Sequence, residues 1–250
     1  MRTPAERISE LDSWLDGPTR VYIDYANVRS KCEKKGWELD FIKLRDLFKQ
    51  FAKVEQVTVY FGKIIGNRGS EGFHALLKSL NYFKIETKPV KFMRLSVDVS
   101  GIPKNSTAVI KNFVEPCLFR KLKVEAIEYL NGQLKELNVA GTKYVEMMKC
   151  NFDVEIARDM LIDHETKNVD TFCLWSGDSD FASPILHLLD AKKRVVVISD
   201  GISPELNDLK PEGLRVFDVK KLRDIIGHEK QRGLPLESPP ARIVGSCDQK

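Results

Sequence analysis

The sequence has few cysteines, no paired cysteine motif and no long apolar run. Its five cysteines lie far apart without a CxxC pair, which argues against both a zinc ribbon and a disulfide framework. Scattered thiols are typical of a reducing compartment. The first residues lack the apolar core of a signal peptide, and no window approaches the roughly 18 apolar residues of a membrane span. We therefore expect a soluble, cytoplasmic protein.

The charge is high but nearly balanced. The chain has 40 basic and 36 acidic residues, which leaves a formal net charge of only +4. A site for nucleic acid must therefore come from local groups of basic residues. With 42% hydrophobic residues among 250, the chain can bury a core large enough for a self-standing enzyme.

Short β-rich runs alternate with segments of helical spacing over most of the chain. This alternation predicts an α/β fold of the Rossmann-like type, with five or six parallel strands and helices on both faces. The strands are expected at 20–24, 57–61, 84–87, 171–175, 194–199 and 214–217, and the helices at 40–51, 70–80, 153–164, 181 or 184 to 191, and 204–209.

The pattern divides the chain into four regions. Residues 1–19 are predicted to form an N-terminal helical extension and residues 20–227 the α/β domain. The segment at about 91–145 interrupts the alternation with glycines and prolines, so we interpret it as an insertion, such as a cap or lid. Residues 228–250 combine prolines, glycines and polar residues and are predicted to be a flexible tail.

Acidic residues follow two predicted strands at their carboxyl ends. Asp24 ends the first strand, and Asp178 and Asp180 follow strand 171–175. Ligands of doubly wound sheets bind beyond these ends, where the strand order reverses. If the two strands are neighbours, three carboxylates converge there, and Asp153 in the first turn of the preceding helix can supply a fourth.

The same acids also have a structural interpretation. Asp and Ser before a helix are ordinary N-caps, and capping is the more frequent role for a loop such as 176–180 taken alone; Ser183 and Pro184 form a good N-cap and N1 pair. A group of acids is harder to explain by capping, because two carboxylates about 4 Å apart repel by about 4 kcal/mol at an effective dielectric near 20. Such a group needs protons or a cation, and oxygen-only ligands favour Mg²⁺ or Mn²⁺ over zinc.

Three motifs give the sequence a resemblance to a known family. Tyr22–Val28, Lys149–Met160 and Ser176–Phe181 resemble, in order and spacing, the D-x-x-N, K-G-x-x-D-V and S-G-D-S-D-F motifs of the NYN domain, in its LabA-like (DUF88) branch of the PIN-like nuclease superfamily. The last motif is the most specific. The resemblance covers about residues 20–220 and leaves 91–145 outside it.

The resemblance implies a divalent-metal-dependent nuclease with a PIN-like sheet. Asn27 would orient a water or a phosphate. Asp159 also matches the family but lies on a different helix face, so it ranks lower, and Cys150 stands where the family usually has glycine. The residues that would hold Mg²⁺ or Mn²⁺ are Asp24, Asp153, Asp178 and Asp180.

Residues that can position substrate or water lie near these acids and in a basic segment. Lys63 and Arg68 begin a stretch in which basic residues alternate with Phe83, Phe92 and Met93, a pattern that fits phosphate binding and base stacking. A solvated charged face fits it equally well. The histidines show no ligand spacing and are expected to be structural or exposed. The candidates for substrate or water positioning are Asn27, Ser176, Lys63 and Arg68.

RNA, preferably single-stranded, is the expected substrate, with DNA and a homodimer left open. One alternative is a non-catalytic regulatory module that binds RNA or protein on the same fold. A second is a haloacid-dehalogenase-like phosphatase. Its nucleophile motif needs a second Asp two residues after the first, where this chain has Ala26.

Overall fold

The computed structural model describes residues 2–229, and these form two compact units. Residues 2–90 and 150–229 make the larger unit, and residues 91–149 make the smaller one. The strands are β1 (Thr19–Asp24), β2 (Trp37–Leu39), β3 (Val54–Lys63), β4 (Phe83–Pro89), β5 (Lys91–Ser96), β6 (Tyr144–Lys149), β7 (Thr171–Trp175), β8 (Arg194–Ser199), β9 (Arg215–Asp218) and β10 (Gly227–Glu229). The α-helices are α1 (Pro4–Asp12), α2 (Tyr25–Lys34), α3 (Phe41–Phe48), α4 (Arg68–Ser79), α5 (Pro116–Phe119), α6 (Val124–Val139), α7 (Asp153–Thr166), α8 (Ala182–Asp190), α9 (Pro204–Asn207) and α10 (Arg223–Ile226).

The larger unit is built on a six-stranded parallel sheet with the order β4-β3-β1-β7-β8-β9. The predicted α/β fold with a parallel sheet is confirmed, and all six predicted strands belong to it. β1 and β7 are neighbours at its centre, in a register that pairs Ile23 with Trp175. The chain order reverses between these two strands, so their carboxyl ends define the ligand crevice expected of such sheets.

Side chains of β1 alternate between two hydrophobic cores, one on each face of the sheet. Val21 and Ile23 pack in a cluster that includes side chains of α2, α3 and α4. Tyr22 packs in the opposite cluster, which includes side chains of α7, α8 and α9. Burial on both faces explains why the central strands are almost continuously apolar.

Two buried tyrosines fix α7 against the sheet. Tyr22 Oη donates a hydrogen bond of 2.7 Å to Asp163, and Tyr60 Oη donates one of 2.9 Å to Asp159. Burial is the main cause that raises the pKa of both phenols, so they stay protonated donors. Because α7 is held at these points, its first residue, Asp153, is directed to the carboxyl edge of the sheet.

Some elements of the larger unit were not predicted. Helix α2 buries only Val28 and Cys32, which is too narrow an apolar stripe to be recognised. The antiparallel pair of β2 and β10 is three residues long. Residues 228 and 229, assigned to the flexible tail from the sequence, are the last two residues of β10; the tail from 230 onward lies outside the described residues.

The smaller unit covers the predicted insertion and extends four residues beyond it, to 149. Strands β5 and β6 form an antiparallel ribbon, and α6 carries two buried asparagines. Asn138 accepts a hydrogen bond from the backbone of Val99 and donates to the carbonyl groups of Val97 and Thr142. These bonds satisfy loop backbone that the ribbon leaves unpaired. Across residues 2–229 no helix combines the length and apolarity needed to span a membrane.

Candidate acidic site at the carboxyl edge of the sheet

Asp24 lies at the end of β1, at the crevice between β1 and β7. It is the N-cap of α2, and its carboxylate accepts a hydrogen bond of 3.3 Å from the backbone amide of Asn27. The side chain is nearly buried, with 7% of its surface exposed. The hydroxyl group of Ser176, at the end of the neighbouring strand, donates a second hydrogen bond to it. The carboxyl ends of β1 and β7, which the acidic residues follow, are therefore neighbours.

The loop after β7 brings Asp178 to the same crevice. Its backbone amide donates a hydrogen bond of 3.4 Å to the hydroxyl group of Ser176, so one buried serine contacts both strand ends. Position 177 must be small: a Cβ there would lie 2.5 Å from Ser199 Oγ and 2.8 Å from Lys31 Nζ. Gly177 therefore allows the loop to pass close to the end of β8 and to α2.

Capping does not explain Asp178. It precedes the 3₁₀ helix Ser179–Phe181, yet its side chain makes no capping hydrogen bond. The interpretation of Ser183 and Pro184 as an N-cap and N1 pair is wrong, because α8 already begins at Ala182 as a continuation of that 3₁₀ turn. The carboxylate of Asp178 accepts a long hydrogen bond of 3.4 Å from the hydroxyl group of Ser179 and no bond from the helix backbone.

Asp153 enters the site from α7. Its backbone amide donates a hydrogen bond of 2.7 Å to the side chain of Asn151, which fixes the first turn of the helix. The preceding Cys150 stands at the usual family glycine, and it has no positive φ. The turn therefore does not require glycine here, and the cysteine side chain packs near Gly62.

The four aspartates influence one another electrostatically. The pKa of Asp24 is raised to about 6, mainly by burial and also by the negative charges of Asp153 and Asp178, against the lowering effect of hydrogen bonds from Asn27 and Ser176. Burial also raises the pKa of Asp153, assisted by Asp178 and Asp180. Asp180 contributes to this rise both through its charge and through the proximity of its carboxyl group to that of Asp153. Burial and the neighbouring negative charges thus disfavour ionisation of Asp24 and Asp153.

A hard divalent cation fits this donor set. The candidate ligands are carboxylate oxygens, the type that Mg²⁺ and Mn²⁺ prefer. Their spacing is open: no three of the aspartates have oxygens that all lie within 4.8 Å of one another. Mg²⁺ usually keeps several waters and binds through one or two carboxylates plus substrate phosphates, so an open acidic crevice suits it.

The other residues predicted to position substrate or water are Asn27, Lys63 and Arg68. Asn27 is half-buried and lines a small pocket with Lys31 and Ser199. Lys63 ends β3 and is half-buried, and Arg68 is exposed at the start of α4; among the described residues neither forms an ion pair with the four aspartates. They therefore remain predictions as substrate contacts.

Asp159 agrees with its lower rank in the sequence analysis, whereas Lys31 was not among the predicted residues. Asp159 accepts hydrogen bonds from Tyr60 and Arg158, so it supports α7 instead of facing the crevice. Lys31 was missed, although its ammonium group lies against Gly177 and donates to Ser199 Oγ at 3.1 Å. Its position one helical turn after Asn27 was the signal that could have identified it.

Comparison with known proteins supports an NYN domain. The family model for the NYN domain matches residues 117–212, which include Asp153, Asp178 and Asp180 but not Asp24. NYN domains belong to the PIN-like nuclease superfamily, and the six-stranded parallel sheet with flanking helices is consistent with a PIN-like fold. The match begins at residue 117, inside the segment 91–145 that the three motifs do not cover.

Two further comparisons do not identify a function. No curated protein sequence matches the chain significantly. The solved structure of a protein of unknown function from Vibrio parahaemolyticus is similar at 17% identity and a TM-score of 0.49, over 84% of this chain and 95% of that chain. This likeness is too low to support a statement about function.

Proposed function

We propose that this protein is a divalent-metal-dependent nuclease that hydrolyses phosphodiester bonds in RNA, and that it belongs to the LabA-like branch of NYN proteins. The observation that carries the proposal is the meeting of aspartates from three elements at the point where the strand order reverses: the end of β1, the start of α7 and the loop after β7. The match to the NYN family model supports the nuclease class.

The proposed mechanism assigns a role to each group of side chains. Asp24, Asp153, Asp178 and Asp180 would hold Mg²⁺ or Mn²⁺, which when bound supplies Lewis acidity and lowers the pKa of a water molecule. Ser176 holds the carboxylate of Asp24 and the loop of Asp178 in one arrangement. Asn27 orients water or a phosphate oxygen. The basic residues that bind phosphates along the RNA strand are Lys31, Lys63 and Arg68.

A single strand is the proposed substrate in preference to a duplex. The attacked phosphate has to approach Asp24, which is almost fully buried. A flexible single strand can bend its backbone into such a crevice, and its unpaired bases remain available for contact with side chains. DNA is the main competitor, because the hydrolytic chemistry requires only a phosphodiester.

Metal-dependent cleavage is the first expected result. Labelled single-stranded RNA, single-stranded DNA and duplexes of both are incubated with the protein in Mg²⁺, in Mn²⁺ and in EDTA. We expect cleavage of single-stranded RNA that EDTA abolishes and either ion restores, because the ion held by the aspartates would activate the attacking water.

The same experiment separates the alternatives. Full activity in EDTA would contradict the metal mechanism. RNA binding without cleavage in either ion would favour a regulatory module. Release of inorganic phosphate from a monoester, with internal bonds intact, would favour a phosphatase.

Binding of RNA is expected to weaken steeply as the salt concentration rises. Each phosphate contact releases counterions, so the slope of log affinity against log salt is about 0.7 per contact on a single strand. Replacement Arg68→Gln should reduce the slope by about that amount if Arg68 contacts one phosphate. Lys167→Gln is the control, since Lys167 is exposed at the opposite end of α7. Affinity that is independent of salt would argue against a nucleic-acid partner.

The smaller unit is proposed to restrict or position the substrate. Val90 and Cys150, which flank it, both approach Gly62: a Cβ there would lie 2.7 Å and 2.8 Å from their side chains. A short linker can therefore replace residues 91–149. Exposed basic side chains of the removed unit include Lys104, Lys111, Arg120, Lys121 and Lys123.

Removal of this unit should leave the larger unit folded and weaken RNA binding by roughly tenfold, equivalent to about 1.4 kcal/mol. Circular dichroism and thermal melting check the fold, and fluorescence anisotropy with labelled RNA measures the affinity. Unchanged affinity together with unchanged cleavage products would show that the unit has no role in substrate binding.

A further inference from the structure

His164, Glu165 and His187 bring three potential metal ligands together on helices α7 and α8. One ligand atom from each lies within 4.8 Å of the other two, and no other group of His, Cys, Asp or Glu among the described residues meets this criterion. The two imidazole rings are 5.8 Å apart, centre to centre, at an angle of 77°. Glu165 and His187 are exposed, so an ion from solvent can reach the group.

One nitrogen of the His164 imidazole also lacks a hydrogen-bond partner among the described residues. Its Nδ1 atom is shielded from solvent and makes no hydrogen bond with any described residue. The ring packs edge-on against Phe172, with centroids 6.5 Å apart, so its orientation is fixed by the core. Buried polar atoms nearly always have a partner, and an ion or an ordered water is an ordinary explanation for an unpaired one.

We propose that these three residues form a Zn²⁺ site that is separate from the acidic crevice. Two imidazoles and one carboxylate are a known donor set for zinc, with the fourth position open to water. Imidazole suits transition metals, whereas Mg²⁺ prefers oxygen ligands alone. The two clusters of the larger unit therefore select different ions.

The proposed zinc site lies at the far end of α7 from the acidic site. His164 follows Asp153 by eleven residues of the same helix, which places it about 16 Å along the helix axis at 1.5 Å per residue. At this end the ion would link α7 to α8. Both helices pack on one core cluster, through residues such as Met160 and Leu188. Because the ligands meet only in the folded chain, zinc stabilises the contact between the two helices.

Zinc titration of the tag-free protein tests this site. Metal-free protein is titrated with ZnCl₂ by calorimetry in excess MgCl₂, which competes for carboxylates and not for imidazoles. We expect a zinc site whose affinity falls by roughly 100-fold or more in His187→Asn, since even partners of metal ligands contribute about 10- to 100-fold. His228→Asn, which changes an exposed histidine on β10, should bind zinc like the wild type.

Three outcomes would overturn the proposal. The first is equal zinc affinity in the wild type and His187→Asn, and the second is an equal loss in His228→Asn. The third is loss of zinc binding in Asp178→Asn with retention in His187→Asn, which would assign the zinc to the acidic crevice. Melting temperatures in EDTA check that each variant is folded. Glu165→Gln, also at an exposed position, is the second ligand variant and should weaken zinc binding too.

Discussion

An Asp178→Asn variant is expected to lose RNA cleavage by at least roughly 100-fold, because even an outer partner of a metal ligand contributes about 10- to 100-fold. The substitution keeps the size of the side chain and removes one charge. Since Asp178 makes no capping hydrogen bond, a loss of activity cannot be attributed to a lost helix cap. RNA binding should persist, because basic residues outside the acidic cluster hold the phosphates.

The same variant should be more stable than the wild type when metal is absent. Removal of one charge from the crevice relieves repulsion with Asp24 and Asp153, by about 1 kcal/mol or more on a Coulomb estimate. Added Mn²⁺ should raise the melting temperature of the wild type and have much less effect on the variant, because a lost ligand weakens binding.

Asp40→Asn is the matched control for Asp178→Asn. Asp40 is a true N-cap whose carboxylate accepts hydrogen bonds from the backbone amides of Ile42 and Lys43. Asn serves almost as well in that role, so stability and cleavage should hardly change. Wild-type cleavage and a wild-type response to Mn²⁺ in Asp178→Asn would return Asp178 to a structural role and remove the main support for a nuclease.

The acidic crevice could be predicted because two of its aspartates come directly after predicted strands. Asp24 and Asp178 come after buried apolar runs, and the carboxyl ends of parallel strands share one edge of the sheet. The sequence left open whether β1 and β7 are neighbours and whether the loop at 176–180 merely caps a helix. Their adjacency depends on the order of all six strands, which local patterns do not determine.

Features that depend on packing between distant helices could not be predicted. His164 and His187 show no ligand spacing along the chain, and they meet only because α7 and α8 pack on one face of the sheet. The role of Asp159 in holding Tyr60 likewise requires the register of α7 on β3. Helical periodicity identifies which face of a helix is buried, and it does not identify the neighbouring helix.

In metal-free protein the contribution of Asp24 to stability is expected to be lost as the pH rises from about 4 to about 6, and Asp24→Asn should remove this contribution. The pKa of Asp24 is raised from 3.8 to about 6 in the folded state, mainly by burial. Between these values the unfolded chain releases the proton while the folded chain retains it. The stabilisation is therefore complete below about pH 4 and lost above about pH 6.

The expected size is about 3 kcal/mol, since one pKa unit corresponds to about 1.4 kcal/mol. Asn at position 24 can still accept the capping hydrogen bond from the amide of Asn27, so the helix start should be preserved. Urea unfolding in EDTA from pH 4 to pH 8 measures the difference between Asp24→Asn and the wild type. The variant should gain stability relative to the wild type across this range, and Mn²⁺ at pH 7 should reverse the gain by stabilising only the wild type. A constant difference between the two proteins at all pH values would mean that Asp24 is ionised as easily in the folded chain as in the unfolded one. The acidic crevice would then have no excess charge for a cation to neutralise.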